Sequence, residues 1–307
     1  MTAETDVQAE AELDRLAALV GNRVIGAERP AWGFANRTTI VTLLDGRRWV
    51  VQELQDPVAG RAVAARARPL ANRLTAAGVP VPAVIIAEPA GRKPLLVTAF
   101  VGGQLGPTLL GTDREAATLG DLMGAAHRQL ASIDVIGLRL PTTWARSETL
   151  AAVSRRRLLR VANRLDRQTL AAVERVIEDH AGRPLSGPPG FAHGDFAPAN
   201  VIVSQGRLAA LIDFEYARLA DPLFDAATFH WLTFHFHPAR AEAAWAAFVA
   251  AAGLAPAVQG QPLGEVLGRL RLLRILELVE VAGRRAPAMR DRWLSLLAAA
   301  ATSATRT

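Results

Sequence analysis

Two short segments carry side chains whose types and spacing suit chemistry: F-A-H-G-D-F-A-P-A-N-V-I-V, residues 191–203, and L-I-D-F-E, residues 211–215. Asp195 and Asn200 stand five positions apart in a stretch broken by Pro198. The runs V-I-V (201–203) and L-A-A-L-I (208–212), joined by S-Q-G-R, read as a hairpin that returns Asp213 to the side of Asn200. Phosphoryl transfer uses such a set: an acidic group that orients or deprotonates the attacking hydroxyl, and oxygen ligands that hold Mg²⁺ against the phosphates. Asp195 suits the first role, and Asn200 and Asp213 suit the second. One carboxylate and one amide oxygen leave positions for phosphate oxygens and water, as a hard octahedral cation requires.

The elements that must position this set divide unevenly along the chain. After an amphipathic first helix, T-T-I-V-T-L-L and W-V-V-Q-E-L form a hairpin through Asp45-Gly46. An alanine-rich helix follows over Arg61 to Ala77 despite Pro69, and V-P-V-P stops it. Two further strand-like runs cover residues 83–87 and 94–101. Beyond Gly102-Gly103, helical periodicity dominates from Asp113 to His180 and resumes after the 201–212 hairpin. The expected fold class is α+β, with a small β-rich N-lobe over 1–101, a glycine hinge and a larger α-helical C-lobe over 102–307.

Composition narrows the chemistry. The 307 residues include no cysteine, which removes disulfides, thiol nucleophiles and thiolate metal sites together. Half of the residues are hydrophobic and the mean hydropathy is +0.17, so the chain can bury a sizeable core. No secretory signal opens it and no uninterrupted run of about 20 apolar residues crosses a membrane. A soluble cytoplasmic protein without a membrane partner is the expectation. The net charge of +6 is spread rather than gathered with aromatic residues. Its one cluster, Arg155, Arg156, Arg157 and Arg160, reads as a solvated helix face, and no nucleic-acid partner is expected. Of the 35 basic residues, Lys93 alone is lysine.

The paired motifs H-G-D-x-x-x-x-N and I-D-F-E resemble those of the aminoglycoside phosphotransferase and choline kinase-like superfamily, which has a protein kinase-like, two-lobed fold. W-G-F-A-N-R-T, A-A-G-V-P-V-P, L-L-V-T-A-F-V-G-G, A-A-H-R-Q-L and D-P-L-F-D look like further family segments in the family's order. The resemblance implies Asp195 as the catalytic acid–base group, Asn200 and Asp213 as Mg²⁺ ligands, and ATP or GTP as co-substrate. It places Asn36 in the nucleotide loop, Val50 in the adenine pocket, and the Thr98 carbonyl and Phe100 amide at the adenine edge. His193, Asp221 and Asp225 would orient the catalytic loop. Glu215 has two readings, a metal or acceptor contact and a solvated or ion-paired carboxylate.

One region departs from the family pattern. A lysine on the third strand and a helix glutamate normally serve the phosphates. Here Gln52 stands at the strand position, and R-A-R-P-L puts Arg66 at the helix position. The pair reads as an exchange in which Arg66 supplies the cation and Gln52 supports it. A one-residue slip would instead bring Glu53 to the strand position.

These residues lead to an ATP- or GTP- and Mg²⁺-dependent transfer to a hydroxyl of a small molecule, an antibiotic or a hydroxylated metabolite. A pseudokinase-like binding protein is the alternative, favoured by the missing lysine. The lysine also excludes a P-loop, because Lys93 is followed by proline. His230, His235 and His237 alternate with aromatic residues and suit a core or wall better than a metal site. Neither the acceptor nor the oligomeric state is readable from sequence.

Overall fold

The structure is a computed structural model that describes residues 3–30, 36–90, 93–285 and 289–304. The chain divides into two compact units, Met1–Asn72 with Val81–Gly102, and Arg73–Pro80 with Gly103–Thr307. A small antiparallel sheet dominates the first and helices the second, an α+β architecture.

The first unit contains α1 (Ala3–Val20), β1 (Val24–Glu28), β2 (Arg37–Leu43), β3 (Arg48–Glu53), most of α2 (Pro57–Ala76), β4 (Val84–Glu88) and β5 (Leu95–Ala99). The sheet order is β1-β2-β3-β5-β4, with every neighbouring pair antiparallel. Strand alternation decides its two faces. Trp49 and Val51 of β3 join Val41, Leu43, Leu95 and Val97 in a core covered by Leu16 and Val20 of α1. Burial of side chains such as Leu16 and Val20, about 1.5–3 kcal/mol each, holds α1 to the sheet. Val50 and Gln52 point to the opposite face, where Val50 pairs with Thr98 and Gln52 with Leu96.

The second unit begins with β6 (Gln104–Leu105) and α3 (Asp113–Ala131), followed by α4 (Ser147–Leu159) and α5 (Arg167–Ala181). The strands β7 (Gly190–Ala192), β8 (Val201–Ser204), β9 (Arg207–Leu211) and β10 (Arg218–Ala220) come next. Helices α6 (Phe224–Phe236), α7 (Ala241–Ala252), α8 (Leu263–Arg285) and α9 (Arg290–Ala304) complete it, with the short pair β11 (Ala257–Val258) and β12 (Gln261–Pro262) before α8. Thr112 caps α3 by accepting from Glu115 N–H, and Asp166 caps α5 through Thr169 N–H. Gly120 lets α3 approach α7 closely, since a Cβ there would lie 2.1 Å from the Ala244 carbonyl oxygen.

Three features differ from the sequence reading. Helix does not run through from Asp113 to His180: residues 132–146 are not α-helical, and Leu140, Trp144 and Ile133 are buried there. Strands β7 and β10 pair with each other, three residues each, too short for a periodic signal. Residues Arg73–Pro80 group with the second unit rather than with the first 101 residues. Arg73 pairs with Asp134, and Leu211 N–H donates to the Pro80 carbonyl at 2.8 Å.

Candidate active site

The chain from β7 to β10 builds the chemistry-bearing loop. Ile212 N–H donates to the Asn200 carbonyl at 3.0 Å, so the β8–β9 hairpin brings the backbone preceding Asp213 onto Asn200. Asn200 also turns back on the loop: its Nδ2 donates to the Asp195 carbonyl at 2.8 Å and to Asp195 Oδ2 at 2.9 Å. Those bonds fix the amide orientation and leave Oδ1 as its acceptor atom. Asp213 is half-buried and left-handed, with φ 66° and ψ 62°. A non-glycine residue in that region stores about 1–3 kcal/mol and is tolerated most readily by Asp and Asn.

His193 braces the loop. Its Nε2 lies 2.9 Å from the Ile212 carbonyl, an atom that can only accept, so Nε2 carries the proton. Nδ1 then accepts Asp195 N–H at 3.3 Å. Burial pushes the imidazole pKa down to about 4, against the opposing charge of Asp195, so the ring is neutral near pH 7. Both ring nitrogens are committed to backbone groups.

Asp225 holds the loop from below its first two residues, accepting His193 N–H at 2.7 Å and Gly194 N–H at 3.0 Å. Burial pushes its pKa up to about 6, although those two bonds and Arg218 oppose the rise. Asp221 accepts Leu223 N–H and Ser186 N–H, each at 2.8 Å, and so ties the start of α6 to the segment before β7. Gly194 has φ +88°, and a Cβ there would fall 2.0 Å from the Tyr216 carbonyl oxygen. Only glycine meets both demands. Glu215 is half-buried in the short 3₁₀ turn after Asp213.

The donor set at the end of this loop is an amide oxygen and a carboxylate, both hard. Among the described residues no group of three His, Asp or Glu side chains forms a closed metal site. Asn200 and Asp213 supply two hard oxygen donors, the kind that suits a hard cation such as Mg²⁺, which keeps water and substrate oxygens in its coordination sphere. His230 stacks on Phe234 with ring centroids 4.4 Å apart and meets Trp245 edge-on, as expected of an aromatic wall.

In the first unit, Val50, Gln52 and Thr98 share one face of the sheet. Glu53 points the other way, where Arg15 pairs with it at 3.0 Å and Arg37 at 3.5 Å. Strand alternation thus puts Gln52, not Glu53, on the face shared with Val50. Arg66 is buried on α2. Asn36 Oδ1 accepts Gln55 N–H at 3.2 Å and ties the chain before β2 to the chain after β3. Residues 32–35 of the W-G-F-A-N-R-T segment lie outside the described residues. The Phe100 N–H, expected at an adenine edge, already donates to the Arg48 carbonyl at 3.0 Å. The β3–β5 register carries that bond one step past the strand end.

Sequence reading missed a second set of residues: Trp144, Arg157, Tyr216, Arg218, Arg274 and Glu277. Arg157, Arg218 and Arg274 all bond to the buried Glu277 carboxylate. The available signal was on α8, where Arg271, Arg274, Glu277 and Glu280 recur every third residue in an otherwise apolar run.

Residues 26–258 match the phosphotransferase enzyme family. The fold is similar to that of a wild-type aminoglycoside 2′-phosphotransferase-IIIa in complex with GDP, with TM-score 0.76, 16% identity, and coverage of 96% of this chain and 99% of that one. A macrolide 2′-phosphotransferase from Brachybacterium faecium gives TM-score 0.67 and 22% identity over 94% and 98% of the two chains. A thermostable mutant of aminoglycoside phosphotransferase APH(4)-Ia, in ternary complex with ADP and hygromycin B, gives TM-score 0.71 and 15% identity over 96% and 97%. No curated protein matches the chain in sequence. Among the described residues, no helix is long and apolar enough to cross a membrane.

Proposed function

The chain belongs to the phosphotransferase enzyme family, and from that premise we propose that it transfers the γ-phosphoryl group of ATP or GTP, with Mg²⁺, to a hydroxyl of a small molecule. The observation that carries the proposal is the joining of Asp195, Asn200 and the residue before Asp213 by hydrogen bonds of 2.8–3.0 Å. Asp195 orients the acceptor hydroxyl and takes its proton as the new O–P bond forms. The β–γ bridging P–O bond breaks, and the nucleoside diphosphate leaves with that bonding pair. Mg²⁺, held by Asn200 and Asp213, would supply charge neutralisation on the phosphates. His193, Asp221 and Asp225 hold the loop and move no proton.

For the nucleotide, Val50 lines the adenine pocket and the Thr98 carbonyl meets the base edge. With the Phe100 N–H engaged, the donor role passes to Val101 or Gly102, whose amides make no backbone bond to another described residue. Gln52 and Arg66 serve the phosphates in place of the usual lysine and glutamate. Around α4 and α5, exposed Arg155, Arg156, Arg160, Arg164 and Arg167 stand among exposed Glu148, Asp166, Glu174, Glu178 and Asp179, a mixture that does not mark a polycation site. A neutral or partly anionic hydroxylated acceptor fits it at least as well as an aminoglycoside. If the acceptor is an antibiotic, its phosphorylation would confer resistance.

The test is NADH-coupled turnover of ATP and GTP, with and without Mg²⁺, against hydroxylated macrolides, aminoglycosides, amino alcohols and sugars. At least one acceptor should raise turnover well above transfer to water, and only with the metal. Gln52 at the lysine position favours a second reading, a nucleotide-binding protein without transfer. Tight nucleotide binding with no acceptor-stimulated turnover would establish it.

A further inference from the structure

Glu277 is the hub of a buried ionic network. Its Oε1 accepts from Arg157 Nη2 at 2.9 Å and Trp144 Nε1 at 3.4 Å; its Oε2 accepts from Arg218 Nη1 at 2.8 Å and Arg274 Nη1 at 2.5 Å. Glu280, one turn further along α8, accepts from Arg157 Nε at 2.9 Å and pairs with Arg160, which is solvent-exposed. Three inward-facing guanidiniums, those of Arg157, Arg218 and Arg274, thus meet two glutamates, and one positive charge is left over. Arg274 Nη2 is buried without a hydrogen-bond partner. Burial pulls the Arg274 pKa down, and the negative charges of Glu277 and Asp195 outweigh that pull.

Two of these arginines converge on Tyr216. Arg218 Nε donates to the Tyr216 carbonyl at 2.9 Å, and the Arg274 guanidinium lies over the Tyr216 ring, 4.7 Å from its centroid. That carbonyl is the atom that Gly194 approaches too closely to carry a side chain. Gly194 immediately precedes Asp195. A continuous set of contacts therefore runs from Glu277 through Arg218 and Arg274 to Tyr216, and from Tyr216 to the backbone that presents Asp195.

We propose that Arg274 is a positioning residue for phosphoryl transfer: anchored by Glu277, it fixes Tyr216 against Gly194 and so holds the backbone that presents Asp195. The proposal rests on the reading of Asp195 as the group that receives the acceptor proton. A purely structural ion pair has a different signature. Removing one member of a balanced buried pair leaves an uncompensated charge and destabilises the fold strongly. Removing Arg274 leaves Arg157 and Arg218 balanced by Glu277 and Glu280, so stability is expected to survive while positioning is lost.

The experiment compares Arg274→Met, Tyr216→Ala and the double variant by steady-state kinetics with ATP, using the best acceptor of the panel or, failing one, transfer to water. Unfolding midpoints and amide hydrogen exchange over residues 193–200 are measured alongside. Arg274→Met should lower kcat about 10- to 100-fold with KM for ATP within about twofold, the pattern of an interaction realised in the transition state. Its midpoint should stay near wild type, and exchange over 193–200 should accelerate. Tyr216→Ala should behave alike, and the double variant should lie within about threefold of the worse single, because both act through one path. Unchanged kcat and exchange, a parallel fall of kcat and midpoint, or multiplying effects would overturn the proposal. Should Arg274→Met fail to fold, Tyr216→Ala decides alone, and wild-type kcat and exchange there would sink the idea. A wild-type protein that turns over no nucleotide refutes the phosphotransferase reading instead. Exchange over 193–200 then still decides whether Arg274 positions the loop.

Discussion

The loop 193–200 and the β3 face that carries Val50 and Gln52 are both short motif segments, but they are held in place very differently. Along the loop, backbone donors have fixed partners: His193 and Gly194 N–H on Asp225, Asp195 N–H on His193, Ala197 N–H on the Asp195 carbonyl and Asn200 N–H on the Ala197 carbonyl. Gln52 sits in an ordinary antiparallel ladder, and its side chain makes no hydrogen bond among the described residues. The contrast teaches where substitution is tolerated. In-line transfer, the chemistry proposed for this loop, needs its groups held within a fraction of an ångström, and the loop's buried polar contacts would meet that need. A flexible triphosphate needs a cation within reach, and that charge can come from another element.

The sharpest way to break this comparison is at Asp195. Asp195→Ala should lower kcat by about two to four orders of magnitude, some 3–5 kcal/mol, while nucleotide affinity stays within about twofold. Kinetics with the true acceptor and a nucleotide titration measure the two sides; near-wild-type kcat would remove the loop from the chemistry.

A second test asks whether burial of the loop's support has the cost expected of it. Asp225 is raised in the folded protein to about 6 from an ordinary value of 3.8, chiefly by desolvation. The folded state then binds the proton more tightly than the unfolded state. The associated stability is fully present below about pH 4 and is lost as pH rises toward 6, by up to about 3 kcal/mol at 1.4 kcal/mol per pH unit. His193, lowered to about 4 by burial, works in the opposite sense, so the comparison must be a difference. Stability of wild type minus that of Asp225→Asn, from urea unfolding at pH 4 to 7, should fall across this window. A flat difference would mean that Asp225 is not buried as a carboxyl.

The smallest effects belong to the first unit. Arg66→Ala should weaken nucleotide binding by about 1.5–3 kcal/mol, and Gln52→Ala by about 0.5–1.5, the difference between a charge-assisted and a neutral contact. Gln52→Lys alone should bring no gain, since it adds a second cation. Isothermal titration with ATP and Mg²⁺ measures all three. A many-fold gain from Gln52→Lys with a silent Arg66→Ala would turn the exchange of charge into a degraded site.

Some of this was legible because it depends on neighbours along the chain. The five-residue spacing from Asp195 to Asn200, the hairpin that returns Asp213, and the left-handed glycine of H-G-D are local features with strong backbone consequences. The period of two along W-V-V-Q-E-L likewise separates Gln52 from Glu53, although which residue met the buried face needed α1 in place. The α+β class followed from the β-rich first third and the leucine- and alanine-rich remainder.

By itself, then, the sequence determined the family, the fold class and the loop 193–200 that carries the proposed catalytic residues, because those are written in contiguous patterns of polarity and turn chemistry. Only the tertiary structure decided which of the expected groups are available. The Phe100 N–H is occupied because β5 ends beside Arg48, and no local pattern records which amide a neighbouring strand has taken. Arg218 and Glu277 are 59 positions apart, and their pairing exists because β10 and α8 meet in three dimensions and exclude water. Charge on a helix reads in sequence as a solvated face, and only burial brings Arg274 and Glu277 together beside Tyr216, next to a loop far from them in the chain.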